Sequence, residues 1–171
     1  MHKYAIALTA AGALALGACS RNAPEELPPA PQMPTTTAPT PGPATPGAAQ
    51  PGTQAHFMQM MSGRDTIYFD TDRYNIDSQD QVALQAQAQY MMQYATARAT
   101  IEGHADERGT REYNLALGER RANAALNYLV SLGVPANRLT TVSYGKERPK
   151  SMGANESAWA QNRRAVTVVL N

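Results

Sequence analysis

Ten of the chain's twelve prolines fall between Ser20 and Ala55, and this distribution limits where a fold can form more than any other feature. Proline lacks the backbone donor that helices and sheet interiors need. A stretch carrying one every few residues, with Thr, Ala and Gly between them as in Pro34-Thr35-Thr36-Thr37-Ala38-Pro39, builds no core. Polyproline II rises about 3.1 Å per residue, so these 36 residues reach roughly 110 Å when fully extended and much less on average. The composition changes near Arg64. Residues 19–63 are therefore expected to form a disordered tether, and residues 64–171 a single domain, since the chain has no room for a second core.

Ahead of the tether, residues 1–18 read as a cleaved secretory signal. His2 and Lys3 form a short n-region, and the apolar run from Ala5 to Leu16 is too short to span a bilayer. Leu16-Gly17-Ala18-Cys19 follows and resembles a bacterial lipobox, which implies an N-acyl and S-diacylglycerol lipid on Cys19. Cys19 is the only cysteine, so an internal disulfide framework is excluded. Several acyl chains together anchor stably, at about 0.8 kcal/mol per buried methylene. By resemblance to enteric lipoproteins, Ser20 in place of Asp at the second mature position implies the outer membrane of a Gram-negative bacterium, with the domain in the periplasm.

Lys3, Arg21, Glu25 and Glu26 are the only charged residues before His56, leaving 13 basic and 12 acidic side chains after it. Counterion-release binding to nucleic acid needs a basic surface, so no nucleic-acid partner is expected. Isolated His and Cys residues also lack the ligand density of a zinc site, and no metal is expected.

Within the domain, Thr66-Ile67-Tyr68-Phe69 reads as a strand. Ser78-Gln79-Asp80-Gln81 has capping-box spacing, and the helix after it runs to about Tyr94, with Val82, Ala86, Tyr90 and Tyr94 as its packing stripe. A second strand from Arg98 to His104 places Ala99, Ile101 and Gly103 on one face. Thr110 caps a helix that ends at Gly133, with Leu115, Ala122, Leu126 and Leu129 as its apolar face. Leu139 to Tyr144 is a third strand, Asn155 to Asn162 a short helix and Ala165 to Leu170 a final strand. The order β-α-β-α-β-(α)-β predicts an α+β fold, with helices packed on one mixed four-stranded sheet.

Two stretches then stand out: Glu102-Gly103-His104-Ala105-Asp106-Glu107-Arg108-Gly109-Thr110, and Tyr113-Asn114-Leu115-Ala116-Leu117-Gly118-Glu119-Arg120-Arg121-Ala122. With Tyr68-Phe69-Asp70-Thr71-Asp72, Val142 to Pro149 and Asn162-Arg163-Arg164-Ala165, they resemble the OmpA-like C-terminal domain family over residues 64–171. The resemblance implies non-covalent binding to peptidoglycan through the diaminopimelate of the stem peptide. It also implies TolB and TolA of the Tol-Pal system as partners, and a role in envelope integrity and constriction during cell division.

Diaminopimelate presents an ammonium and a carboxylate on one carbon, so a selective site needs an anion and a cation held apart. Asp106 and Arg121 are the expected pair, Arg121 offering a planar fork for a carboxylate. By resemblance, Asp72, Arg108, Leu117 and Thr71 line the same site, although related chains often carry an aromatic where Thr71 stands. Asn114, Asn162 and Arg163 read as site residues or supports, Arg120 and Arg164 as solvated or salt-bridged, and Tyr144 and Trp159 as packing.

Glu102, His104 and Asp106 alternate along one strand, a pattern that a hydrolase could use. No serine or free cysteine nucleophile accompanies them and no second His cluster completes a metal site, so the domain is expected to bind without turnover. A protein-interaction module of the envelope is the alternative of a different class. TolB and the wall are expected to use overlapping surfaces.

Overall fold

The computed structural model describes residues 49–170. The signal, the lipobox at Cys19 and the tether up to residue 48 lie outside the described residues. The elements are α1 (Gln54–Met61), β1 (Thr66–Tyr68), α2 (Ser78–Gln93), β2 (Arg98–His104), α3 (Arg111–Ser131), β3 (Leu139–Gly145) after a short 3-10 turn, α4 (Glu156–Asn162) and β4 (Arg164–Leu170).

The strands form one sheet in the order β1-β4-β2-β3. β4 runs antiparallel to both neighbours, and β2 runs parallel to β3. This is the mixed sheet and α+β order expected from the sequence. Because side chains alternate along a strand, Ala99, Ile101 and Gly103 turn to the buried side with Ile67, Ala165 and Val169. Leu84, Met91, Ala122, Ala125 and Leu129 from α2 and α3 are buried in the same core.

The ordered body begins earlier than expected. Pro51-Gly52 turns the chain, and the Thr53 side chain accepts from the His56 N–H to cap α1. Phe57 and Met61, one turn apart, are buried in the core, and the Gln54 side chain accepts from the Val169 N–H at 2.7 Å. The boundary at residue 64 is thus corrected to α1. Only two apolar residues of this short helix face inward, too few to stand out in a Gln- and Met-rich sequence.

α2 departs in detail as well. Its N-cap is Asp77, which accepts from Asp80 N at 2.8 Å, rather than Ser78. Val82 is 56% exposed, and the buried stripe is instead Ala83, Leu84, Gln87, Ala88, Tyr90 and Met91. Gln87 disguised this stripe. It is a polar residue buried because it donates to the Arg64 carbonyl and accepts from the Thr167 hydroxyl, which satisfies both ends of its amide.

α3 lies so close to β2 that no side chain fits between them. A Cβ on Gly103 would overlap the Gly118 carbonyl, and one on Gly118 would overlap the Ser143 hydroxyl. The two glycines let the backbones touch, and this contact sets the depth at which the next turn of α3, carrying Arg121, meets the exit of β2.

Candidate functional site

Three segments converge where β1 and β2 end and α3 begins. Thr71 and Asp72 come from the loop after β1, Asp106, Arg108 and Gly109 from the loop after β2, and Tyr113 from the first turn of α3. Together they line a cleft of about 240 Å³. Four of the six expected binding residues, Thr71, Asp72, Asp106 and Arg108, are therefore brought together. Leu117 is buried on α3 and is not among the residues lining the cleft.

Asp106 is buried at the base of its loop, its side chain 9% exposed. One oxygen accepts from the backbone N–H and Nε of Arg108, both at 3.1 Å; the other accepts from Arg108 Nη2 at 2.7 Å and Arg163 Nη1 at 3.5 Å. Burial pushes this carboxyl up, but the hydrogen bonds and charge of Arg108, with Arg163, outweigh it and hold the group below the usual carboxylate range. Arg163 is itself locked, donating through Nε to the Phe69 carbonyl at 2.9 Å and through Nη2 to Glu156 at 2.7 Å.

Arg121 does not pair with Asp106. It is fully buried, and its three nitrogens donate to three carbonyls: Nε to Arg73 at 2.9 Å, Nη1 to His104 at 2.8 Å and Nη2 to Asp70 at 3.1 Å. Its guanidinium also lies 5.2 Å from the centre of the Phe69 ring. Burial lowers its pKa to about 10, with Asp106 opposing, so it stays charged at neutral pH. Arg121 thus ties the loop bearing Thr71 and Asp72 to the end of β2, and the guanidinium groups that contact Asp106 are those of Arg108 and Arg163.

The remaining cleft residues hold one another. The Thr71 hydroxyl accepts from Arg108 Nη2 at 3.3 Å. Asp72 adopts a left-handed φ of 56°, which short polar side chains tolerate, and accepts from the Tyr113 hydroxyl at 3.1 Å. Sequence reasoning missed Tyr113 and Gly109, although Tyr113 stands three residues after the Thr110 cap and so folds back over the loop. It also assigned Trp159 to packing. Trp159 instead borders the site: its indole N–H donates to Glu107 at 3.0 Å, and the Arg108 guanidinium lies 4.3 Å from the ring centre. Asn114 is a support, donating to the Arg108 carbonyl at 2.7 Å. Arg164 is neither solvated nor salt-bridged; it is buried and bonds the Arg148 carbonyl at 3.2 Å.

His104 takes no part in the cleft. Both ring nitrogens are buried without a hydrogen-bond partner, beside Tyr144 at 5.5 Å between ring centres and Glu102 at 3.7 Å. Burial first, then the charges of Arg164 and Arg148, lower its pKa to about 4. It is therefore neutral, and its contact with Glu102 is not an ion pair. An unfolded histidine titrates near 6.5, so stability from neutral His104 is complete above that pH and is lost as pH falls toward 4.

Asp80 works the other way. Burial, opposed by a bond from the Tyr68 N–H, raises it to about 6. The folded state then takes up a proton that the unfolded chain does not, and stability rises as pH falls from about 6 toward 3.8. The two dependences offset each other in the wild type. Asp80→Asn, which keeps an acceptor for Tyr68, is expected to lose roughly 2 kcal/mol between pH 7 and pH 4.5 through His104. His104→Gln is expected to show the opposite slope, and urea midpoints at the two pH values measure both.

A mixed four-stranded sheet backed by helices, with a polar cleft at the β1, β2 and α3 ends, defines an OmpA-like domain. Residues 68–163, more than half of the chain, match the OmpA family, and the chain belongs to that family. Among its relatives, the peptidoglycan-associated lipoprotein of Rhizobium meliloti is 59% identical over 105 residues, covering 61% of this chain and 60% of that protein. That of Agrobacterium fabrum is 57% identical over 105 residues, covering 61% of this chain and 59% of the relative. The chain thus spans about three fifths of the length of these curated relatives. A crystal structure of the peptidoglycan-associated lipoprotein from Burkholderia pseudomallei is similar with a TM-score of 0.60 and 47% identity, covering 61% of this chain and 89% of that one. The relatives carry the names of lipoproteins and not of enzymes, in keeping with the non-catalytic reading.

Proposed function

We propose that this chain holds the outer membrane to the cell wall. A lipid on Cys19 anchors it, the proline-rich segment spans the gap, and the domain binds peptidoglycan non-covalently through diaminopimelate. The observation that carries this reading is the cleft, where a buried carboxylate, Asp106, stands beside a guanidinium on an exposed side chain, Arg108, in a chain whose relatives are peptidoglycan-associated lipoproteins. An anion and a cation side by side suit a ligand that carries both charges on one carbon. Rigid elements support the pair: Arg121 ties down the loop after β1, and Arg163 braces Asp106 from behind. Affinity at one such site is modest, and tethering raises the effective concentration at the wall. TolB and TolA as partners, and a role in constriction during division, belong to the same reading and rest on the resemblance of the sequence alone.

Sedimentation of the chain from Ser20 onward with purified sacculi tests the site. Asp106→Asn, which keeps the shape but removes the charge, is expected to weaken binding at least about tenfold, and free meso-diaminopimelate is expected to compete with the wild type. Undiminished sedimentation of a folded Asp106→Asn variant, together with no competition, overturns the proposal.

A further inference from the structure

We propose that the open edge of β1 is a docking site for the β1 of a second copy of this chain, paired antiparallel about a two-fold axis at Ile67, with Asp80 as its gate. β1 ends the sheet, with β4 on one side and no strand on the other. Its ladder to β4 runs through alternate residues: the Thr167 N–H donates to the Asp65 carbonyl and the Phe69 N–H to the Arg163 carbonyl, with Ile67 opposite Ala165 between them. In an antiparallel pair the residues in between turn their backbone groups the other way. Thr66 and Tyr68 therefore present their N–H and C=O groups to the open side.

That side is shaped to receive a strand. A groove of about 350 Å³ lies between β1 and the start of α2, with Gly63, Thr66 and Tyr68 on one wall and Gln79, Val82 and Ala83 on the other. Val82 is 56% exposed, an apolar side chain that the sequence marks for packing and that one copy alone leaves uncovered. One backbone donor of the edge is already taken. Asp80 Oδ1 accepts from the Tyr68 N–H at 3.2 Å, while Asp80 is 7% exposed and its Oδ2 is buried with no hydrogen-bond partner. A buried oxygen left unpaired costs stability; its carboxylate here blocks one end of the edge, as inward-pointing charges do in natural sheets.

The occupant follows from the order of residues along the edge. In an antiparallel pairing centred on Ile67, residues equally far to either side stand opposite each other. Thr66 of each copy then faces Tyr68 of the other, so the residues whose backbone groups point outward are the ones that exchange bonds. Their side chains form a β-branched and aromatic cross-strand pair, which is favourable. Further out, Arg64 of each copy faces Asp70 of the other, and both are exposed. The edge is thus complementary to itself in register, side chains and charge, as a two-fold contact requires. The axis stands perpendicular to the joined sheet, which sets both α2 helices on one side and brings the two Val82 side chains to the same seam. Pairing requires the Tyr68 N–H to leave Asp80 for the Thr66 carbonyl of the other copy, and this is what makes Asp80 the gate.

Sedimentation equilibrium of the chain from Ser20 onward tests the pairing. Asp80→Ala, which frees the Tyr68 N–H, is expected to dimerise at least about tenfold more tightly than wild type. In that background Arg64→Asp and Asp70→Arg are each expected to remove the gain by facing like charges, and the two together to restore it. Cross-linking gives a second measurement with Asp80 in place. The chain from Ser20 onward has no cysteine of its own, and a mixture of Thr66→Cys and Tyr68→Cys is expected to form disulfide dimers faster than either variant alone, because these positions lie opposite each other while like positions lie diagonally apart. A folded Asp80→Ala variant that stays as monomeric as wild type overturns the proposal, and so does a dimer indifferent to the charge reversals, which assigns the contact to another face. If Asp80→Ala does not fold, the cross-linking decides: equal rates in mixed and unmixed samples overturn the pairing.

Discussion

Gly103→Ala is expected to destabilise the domain by at least about 3 kcal/mol, a large part of the roughly 5–15 kcal/mol that holds a typical domain together. The added methyl would overlap the Gly118 carbonyl. A side chain in its place could rotate away; a carbonyl inside α3 cannot move without moving the helix. α3 would have to lift off β2, and with it the turn that carries Arg121. Gly118→Ala is expected to cost less. Its methyl meets the Ser143 hydroxyl and, at 2.9 Å, the Gly103 carbonyl; the hydroxyl can rotate aside, although it then gives up its 2.7 Å bond to the Leu115 carbonyl. Urea unfolding checks the order. A Gly103→Ala variant within about 1 kcal/mol of wild type would show that the helix and strand do not need this contact.

Arg121→Met is expected to cost about 3–5 kcal/mol, the usual penalty for removing one side of a buried charged network. The shape of the stem is nearly conserved, so the loss comes from polarity: the carbonyls of Asp70, Arg73 and His104 lose their donors together. Arg121→Lys should recover only part, because one ammonium cannot span three carbonyls as a fork does. The loop carrying Thr71 and Asp72 is expected to loosen first, since two of the three bonds end on it. Hydrogen exchange at Thr71 to Tyr74 would show this before global unfolding. For the wall-binding reading this has a direct consequence: lost sedimentation by an Arg121 variant reports a collapsed cleft wall unless the fold is checked, whereas Asp106→Asn leaves those three bonds in place.

Elements governed by neighbours in sequence were readable in advance. Thr110 caps α3 as its spacing predicts, accepting from Tyr113 N at 3.2 Å, and Gly133 ends that helix region with a φ of 98°. The alternation of Ala99, Ile101 and Gly103 in β2 was legible because a strand buried on one face has to repeat every second residue. α1 and the inner stripe of α2 were hidden for the opposite reason. Phe57 and Gln87 are inside because of partners more than twenty residues away, Gln54 on Val169 N holding α1 and Arg64 and Thr167 satisfying Gln87. Trp159 was taken for packing because nothing near it in sequence reveals that its indole meets Glu107 and Arg108, 52 and 51 residues earlier.

The candidate site divides along the same line. By itself the sequence determined that Asp106 and Arg108 lie together, because both sit in one short loop between a strand end and the Thr110 cap; that Thr71, Asp72 and Tyr113 join them was decided by the tertiary structure. It also determined the chemistry on offer, the carboxylates of Asp72 and Asp106 and the guanidinium groups of Arg108 and Arg121 in a nearly neutral domain. Which guanidinium faces the carboxylate was decided only in three dimensions. An arginine fork can donate to a carboxylate or to several backbone carbonyls. Arg121 lies next to the carbonyls of a loop 48 to 51 residues away, drawn in by the close seating of Gly103 on Gly118. With Arg121 occupied there, the exposed Arg108 is left to close over Asp106.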